Sequence, residues 1–212
     1  MIVPPASTIG IIGGGQLGRM LSVAAAQLGY KAHIFDPHER PCAADVAASH
    51  MRAEYTDVEA LRRFGAGIDI ATYEFENLPA GALDVLADKL RPGTRSLAVA
   101  QDRAEEKSFI EDCGVTVARW RQIDSLDDVR AAFADLGLPV VLKTRRFGYD
   151  GKGQAWIRSE ADIAAAWEAI GQKPAVAEAA VDFAAEFSVI VARWADGRHS
   201  AWESPENAHR NG

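Results

Sequence analysis

The sequence predicts two unlike domains in one chain, an α/β domain on a parallel sheet followed by an α+β domain with antiparallel strands. Three observations predict it. Over the first hundred residues short apolar runs alternate with helix-like stretches, the pattern of right-handed crossovers between parallel strands. Near residue 100 this gives way to strands joined by turns, among them Asp196-Gly197, a strong hairpin signal. The composition, 48% hydrophobic and 25% charged over 212 residues, is that of a soluble globular chain long enough for two cores.

Thr8–Ile12 is β-rich and runs into three glycines; Leu17–Leu28 follows as an alanine-rich helix closed by Gly29. Lys31–Phe35 is a second strand, ending at Asp36 and Pro37. Asp57 caps a short helix through Phe64, Ile68–Phe75 is a third strand, and Leu83–Leu90 is a helix stopped before Pro92 and Gly93. The domain boundary falls at residues 98–102, giving domains 1–100 and 101–212. Beyond it, Asp102–Asp112 is a helix, Val117–Gln122 is extended, and Ser125–Leu136 is an amphipathic helix with a loose capping box from Ser125 and Asp128. Val140–Thr144 is a buried strand, Arg145–Gly153 a loop rich in glycine and charge, Gln154–Arg158 a strand, and Ser159–Ile170 a helix capped by Ser159. Ala175–Glu178, Glu186–Arg193 and Arg198–Glu203 are strands; the polar run Pro205–Gly212 follows with no closing element, as in a fragment of a longer chain.

Thirty acidic against 23 basic residues give a net charge of −7, which argues against a broad basic face for nucleic acid. Cys42 and Cys113 are too few for a disulfide framework or a four-cysteine zinc site and read as reduced thiols of a cytoplasmic protein. No apolar run nears the roughly 18 residues that a membrane helix needs. Met1–Ser7 lacks the basic residue and long apolar core of a signal peptide.

Three constellations carry chemistry. Gly13-Gly14-Gly15-Gln16-Leu17-Gly18 satisfies G-x-G-x-x-G between a strand and a helix, with Asp36 at the end of the next strand. It admits three readings: a dinucleotide site, a tight turn that binds nothing, or a site for one phosphate of a mononucleotide. Thr72-Tyr73-Glu74-Phe75-Glu76-Asn77 ends the third strand, and strand alternation places Glu74 and Glu76 on one side, as acceptors for a ribose or an amine or as a solvated strand end. Val140-Val141-Leu142-Lys143 puts one lysine on an apolar strand before the loop Arg145–Gly153. A lysine so placed needs an anionic partner, and lysine plus flexible glycine loop suits a polyphosphate. Glu178, the backbone at Val181, and Glu186 then have the order of an adenine-reading hinge and a ribose acceptor, or of acids that blunt an edge strand.

Gly13–Arg19 (GGGQLGR), Gln101–Lys107 (QDRAEEK), Lys143–Gln154 (KTRRFGYDGKGQ), Glu178–Ser188 and Glu206–Gly212 (ENAHRNG) together resemble the ATP-grasp family of N5-carboxyaminoimidazole ribonucleotide synthases, in family order and over nearly the whole chain. The resemblance implies an N-terminal Rossmann-like preATP-grasp domain and an incomplete ATP-grasp domain. It implies a ligase that uses MgATP and bicarbonate to carboxylate 5-aminoimidazole ribonucleotide through carboxyphosphate. By resemblance, Lys143, Tyr149 and Asp150 are catalytic, the last two facing the imidazole nucleotide. ATP is held by Arg103, Lys143, Gly148, Tyr149, Asp150, Gly151, Lys152, Gly153, Gln154, Glu178, Ala179, Ala180, Val181, Glu186 and His209. Gly15, Gln16, Leu17 and Glu76 bind the second substrate. The family's Mg²⁺ carboxylates lie beyond Gly212, so a chain ending there is expected to bind nucleotide without turnover. Family members are homodimers without nucleic-acid or membrane partners. The competing readings are an NAD-dependent Rossmann oxidoreductase and a catalytically inactive ATP-binding module.

Overall fold

The computed structural model describes residues 3–137, 139–148 and 152–208. The chain divides into two compact units, Met1–Cys113 and Gly114–Gly212.

In the first unit, strands β1 (Thr8–Ile12), β2 (Lys31–Asp36), β3 (Ser49–Arg52) and β4 (Ile70–Tyr73) form one sheet in the order β3-β2-β1-β4. Every pairing is parallel. Consecutive residues at Ile11-Ile12 of β1 and Ile34-Phe35 of β2 face opposite layers, which is why these stretches are apolar without alternation. Ile11 and Ile34 pack with Ala32 and Ala43 on one side. Ile12 and Phe35 pack on the other with Leu61 and Phe64 of helix α2 (Val58–Ala66). Helix α1 (Gln16–Gln27) buries Gly18, Ser22 and Ala25, small residues that let it lie close to the sheet. Asp57 caps α2 by accepting from the Ala60 amide at 2.9 Å, as its position predicts.

Two sequence expectations change here. β3 joins the sheet although Ser49-His50-Met51-Arg52 carries little apolar signal; it is an edge strand, half exposed. The helix expected over Leu83–Leu90 is instead a short α3 (Ala80–Leu83) and a 3₁₀ turn (Asp84–Leu86), followed by helix α4 (Thr94–Ala100). Leu83, Leu86 and Leu90 are all buried, so the apolar spacing that suggested one helix serves a broken segment. Helix α5 (Arg103–Asp112) packs on α4 and groups with the first unit.

In the second unit, β5 (Trp120–Ile123), β6 (Val140–Thr144), β7 (Gln154–Ile157) and β8 (Ala175–Ala179) form an antiparallel sheet in the order β5-β8-β6-β7. Helices α6 (Leu126–Leu136) and α7 (Ile163–Ala169) cover one face. Val129, Ala132 and Leu136 of α6, with Ile163, Ala166 and Trp167 of α7, pack on Ile123, Leu142, Ile157, Ala175 and Ala177. Ser125 accepts from the Asp128 amide, and the Asp128 carboxylate turns back to accept from the Asp124 amide at 3.0 Å and the Ser125 hydroxyl at 2.8 Å. The box reads as loose because aspartate stands where glutamate or glutamine is usual. Ser159 and Asp162 form a complete capping box.

The strand expected over Glu186–Arg193 is two short pieces, β9 (Glu186–Phe187) and β10 (Val191–Arg193). β10 pairs with β11 (His199–Ala201) across the Asp196-Gly197 turn, as expected. β9 pairs with β12 (Glu206–Asn207), so the polar run after residue 205 contains a strand that its composition hides.

Candidate functional site

Order β3-β2-β1-β4 places the reversal of strand order between β1 and β4, the position where an open parallel sheet binds ligands beyond the carboxyl ends of its strands. The glycine loop follows β1 at this point, and Glu74 follows β4. β4 stops at Tyr73, so the period-two alternation expected through Glu76 fails and the two acids part company. Glu74 turns toward the loop: its Oε1 accepts from the Gly15 amide at 2.8 Å, and its Oε2 accepts from the Gly18 amide. Glu76 accepts from Asn77 at 3.0 Å, and its backbone carbonyl is held by Gln101 at 2.6 Å. Gln101, the first residue of the QDRAEEK run, therefore pins the segment that carries Glu76, and Asp102 caps α5 through the Ala104 amide. Gln16 and Leu17 are exposed at the start of α1.

The dinucleotide reading is overturned at Asp36. Its Oδ1 accepts from the His38 amide and the His38 ring at 2.8 Å each. Its Oδ2 accepts from the Gly14 amide at 2.7 Å and the Tyr55 hydroxyl at 2.8 Å. Four bonds fill both oxygens, and the side chain is buried. Nothing is left to accept the two hydroxyls of an NAD ribose. Burial alone raises the Asp36 pKa, but the bonds from His38, Tyr55 and Gly14 outweigh it and hold the carboxyl below its ordinary range. The same carboxylate and burial push the Tyr55 hydroxyl far up.

Because its folded pKa is depressed, Asp36 contributes stability that is whole above the unfolded value of 3.8 and is lost as pH falls through the lower folded value. Urea midpoints measured from neutral pH down to pH about 2.5 are expected to fall more steeply in wild type than in Asp36→Asn. Equal slopes would show that Asp36 carries no such linkage.

In the second unit, pairing register fixes which side chains share a face. Trp120, Glu178, Val141 and Trp156 form one cross-strand row; Gln122, Val176, Lys143 and Gln154 form the next. Both rows lie on the face away from α6 and α7. Lys143 Nζ donates to Glu178 Oε2 at 2.8 Å, with the two side chains 27% and 12% exposed. The anionic partner that a strand lysine requires is thus Glu178, itself a predicted nucleotide contact 35 positions away.

The adjoining loop returns to the sheet at Gly153, whose φ of +71° is left-handed and whose added Cβ would meet Thr144 Oγ1 at 2.5 Å. The Thr144 amide donates to the Gly153 carbonyl at 2.8 Å, closing the loop's base beside Lys143 and Gln154. Gly148 and Lys152 flank Tyr149, Asp150 and Gly151, which lie outside the described residues, as does His209. Ala179 and Ala180 are half-buried and Val181 is exposed beyond β8. Glu186 on β9 accepts from Asn207 at 3.1 Å. Arg103 opens α5 in the first unit.

Two domain families match the chain in sequence. The ribonucleotide synthetase preATP-grasp domain matches residues 6–101, and the ATP-grasp domain matches residues 108–212. The chain belongs to the ATP-grasp proteins. Among its curated relatives, N5-carboxyaminoimidazole ribonucleotide synthase of Brucella melitensis is 44% identical, over 98% of this chain and 59% of its own length. The Bacillus subtilis synthase is 42% identical, over 99% of this chain and 56% of its own. The chain therefore spans a little over half the length of these relatives. Among solved structures, the Staphylococcus aureus N5-carboxyaminoimidazole synthetase complexed with ADP superposes with a TM-score of 0.93 at 36% identity, covering 99% of this chain and 57% of that one. The Aspergillus clavatus synthase in complex with ADP and 5-aminoimidazole ribonucleotide superposes at 0.87 and 25% identity, covering 97% and 55%.

Within the ATP-grasp fold, the G-x-G-x-x-G run marks the edge of a preATP-grasp sheet rather than a nicotinamide site. Glu74 and Asp36 are the residues that the sequence reading left without these roles. The signal for both was the glycine run itself, whose bare amides require acceptors from somewhere. No helix among the described residues is long and apolar enough to cross a membrane.

Proposed function

We propose that the chain carries the nucleotide-binding and substrate-binding parts of an N5-carboxyaminoimidazole ribonucleotide synthase. The observation that carries the reading is the Lys143–Glu178 pair on the helix-free face of an ATP-grasp sheet. When ATP enters, the adenine amine takes up the Glu178 carboxylate and the Lys143 ammonium turns to the phosphates. A carboxylate there selects a purine that donates at that position. The backbone at Ala179, Ala180 and Val181 completes the adenine edge, and Glu186 accepts from the ribose. Arg103, Lys152, the amides of Gly148, Gly151 and Gly153, and Gln154 hold the triphosphate.

A bicarbonate oxygen attacks the γ-phosphorus and ADP leaves, giving carboxyphosphate. The exocyclic amine of 5-aminoimidazole ribonucleotide then attacks the carboxyl carbon, phosphate departs, and the nitrogen loses its proton. Negative charge spreads over the transferring phosphoryl group, so cations placed beforehand, Lys143 foremost, lower the barrier. The loop over residues 148–154 keeps water from the mixed anhydride. Tyr149 and Asp150 face the imidazole nucleotide, Gly15, Gln16, Leu17 and Glu76 contact it from the preATP-grasp sheet, and His209 lies near the nucleotide. Mg²⁺ accompanies ATP in this reading. Among the described residues no three His, Cys, Asp or Glu side chains gather as a metal site. A cytoplasmic location and assembly as a homodimer belong to the same reading.

Titration of the chain with ADP, followed by calorimetry and by tryptophan fluorescence, is expected to show saturable binding, with Trp120 in the same cross-strand row as Glu178. NADH is expected to leave both signals unchanged. Saturation by NADH with no response to ADP would overturn the proposal.

A further inference from the structure

The start of α1 has an acceptor that the helix does not supply. Its N-cap residue is Gly15, and neither Gly15 nor Gly18, three residues on, has a side chain. The first turn contains no acidic residue. In a capping box the N-cap side chain would accept from the third amide, and the third side chain would accept from the N-cap amide. Here one carboxylate from 56 and 59 positions away does both: Glu74 takes the Gly18 amide on Oε2 and the Gly15 amide on Oε1. It stands where the partial positive charge of a 12-residue helix is concentrated, the location that a ligand phosphate occupies in nucleotide-binding loops.

The glycines fit Glu74 itself. An added Cβ at Gly13 would lie 2.7 Å from Glu74 Oε1, at Gly15 2.9 Å from Oε1, and at Gly18 2.9 Å from Oε2. The close approach that glycines give a pyrophosphate in a dinucleotide fold is here given to a side chain of the same chain. Asp36 holds the next amide, Gly14, from the other side.

We infer that Glu74 is a specificity-determining residue: its carboxylate fills the anion site of α1 and bars phosphate groups from the glycine loop. A phosphate brought to this loop must displace a carboxylate that already has both amides, and meets like charge if it does not. Removing the carboxylate frees two amides at a helix N-terminus and opens a phosphate site that wild type lacks. The bearing on the substrate rests on the proposed function: a mononucleotide docked at this sheet edge turns neutral, hydrogen-donating groups toward the loop. The two ideas fail separately, since the test below uses neither ADP nor the imidazole nucleotide.

The test is a titration of the ¹⁵N-labelled chain with inorganic phosphate at constant ionic strength, followed at the Gly15 and Gly18 amides. In wild type neither amide is expected to move saturably. In Glu74→Ala both are expected to move saturably, with phosphate affinity raised at least about tenfold. Glu74→Gln keeps the side-chain volume but replaces one of the two acceptor oxygens by an NH2 group that only donates, so it is expected to respond to a smaller degree. A purely structural cap predicts loss of stability in both variants with no gain of phosphate binding. Saturable phosphate shifts at Gly15 and Gly18 in wild type overturn the inference without any variant. So does a folded Glu74→Ala chain whose loop amides ignore phosphate.

Discussion

Lys143→Met is expected to weaken ADP binding about 30-fold, a loss near 2 kcal/mol for one charge-assisted phosphate contact. Methionine keeps the length and apolar stem of lysine, so β6 and its neighbours β8 and β7 keep their packing. What changes is the ammonium, which sits 2.8 Å from Glu178 Oε2. That pairing has a second consequence. The Glu178 side chain is only 12% exposed, and without the ammonium its carboxylate remains in a poorly solvated place. A destabilisation of about 1–3 kcal/mol follows for the single variant. Much of it is expected to be recovered in Lys143→Met/Glu178→Gln, where neither charge is left. The two readouts separate the roles. Stability recovers in the double variant because the carboxylate that lost its ammonium is now neutral, but ADP affinity does not, because the phosphate cation is still missing and the adenine amine faces a neutral amide oxygen instead of a carboxylate. Calorimetric titration and urea unfolding of the four proteins complete the cycle. ADP binding as tight in Lys143→Met as in wild type would show that the phosphates lie elsewhere.

How far the sequence reveals this arrangement depends on which interactions are local. β1, β2 and β6 are legible because buried strands in packed layers are continuous apolar runs, as Ile9-Gly10-Ile11-Ile12 and Val140-Val141-Leu142 are. The caps at Asp57 and Ser159 are legible because a cap bonds within a few residues of itself. β3 and β12 are illegible for the converse reason. Ser49–Arg52 and Glu206–Asn207 are held by backbone pairing to a partner strand and by polar side-chain bonds such as that from Asn207 to Glu186, neither of which leaves an apolar period in the sequence. At the site, the need of Lys143 for an anion could be read from its neighbours on the strand, but the identity of that anion could not. Glu178 meets it only because β8 runs antiparallel beside β6 with Val141 opposite Glu178, and register is a property of the folded sheet. Glu74 is a sharper case. Alternation requires a strand, and β4 ends one residue before Glu74, so the period of two stops short of it.

Gly18→Ala is expected to cost about 3 kcal/mol, a large share of the 5–15 kcal/mol that typically holds a domain. The added Cβ would stand 2.6 Å from the carbonyl oxygen of Gly13 and 2.9 Å from Glu74 Oε2. The first is backbone and has no rotamer with which to retreat. Gly13 in turn is fixed by a φ of +107°, by the donation of its amide to the Phe35 carbonyl at 2.9 Å, and by the Glu74 side chain packed against it. The strain must therefore go into moving α1 away from β1, which also pulls the Gly15 and Gly18 amides off Glu74. Glycine-to-alanine exchange is not costly in itself. Gly81 lies in α3 with nothing within 4 Å of an added Cβ, and Gly81→Ala is expected to be neutral or to stabilise by about 0.5–1 kcal/mol through helix propensity. The pair is a controlled contrast: the same chemical change, opposite in sign, set by what each Cβ meets. Urea unfolding of the two variants beside wild type measures it. If Gly18→Ala unfolds at the wild-type midpoint, α1 is not seated on the loop as described, and the coupling of Glu74 to the glycine run fails with it.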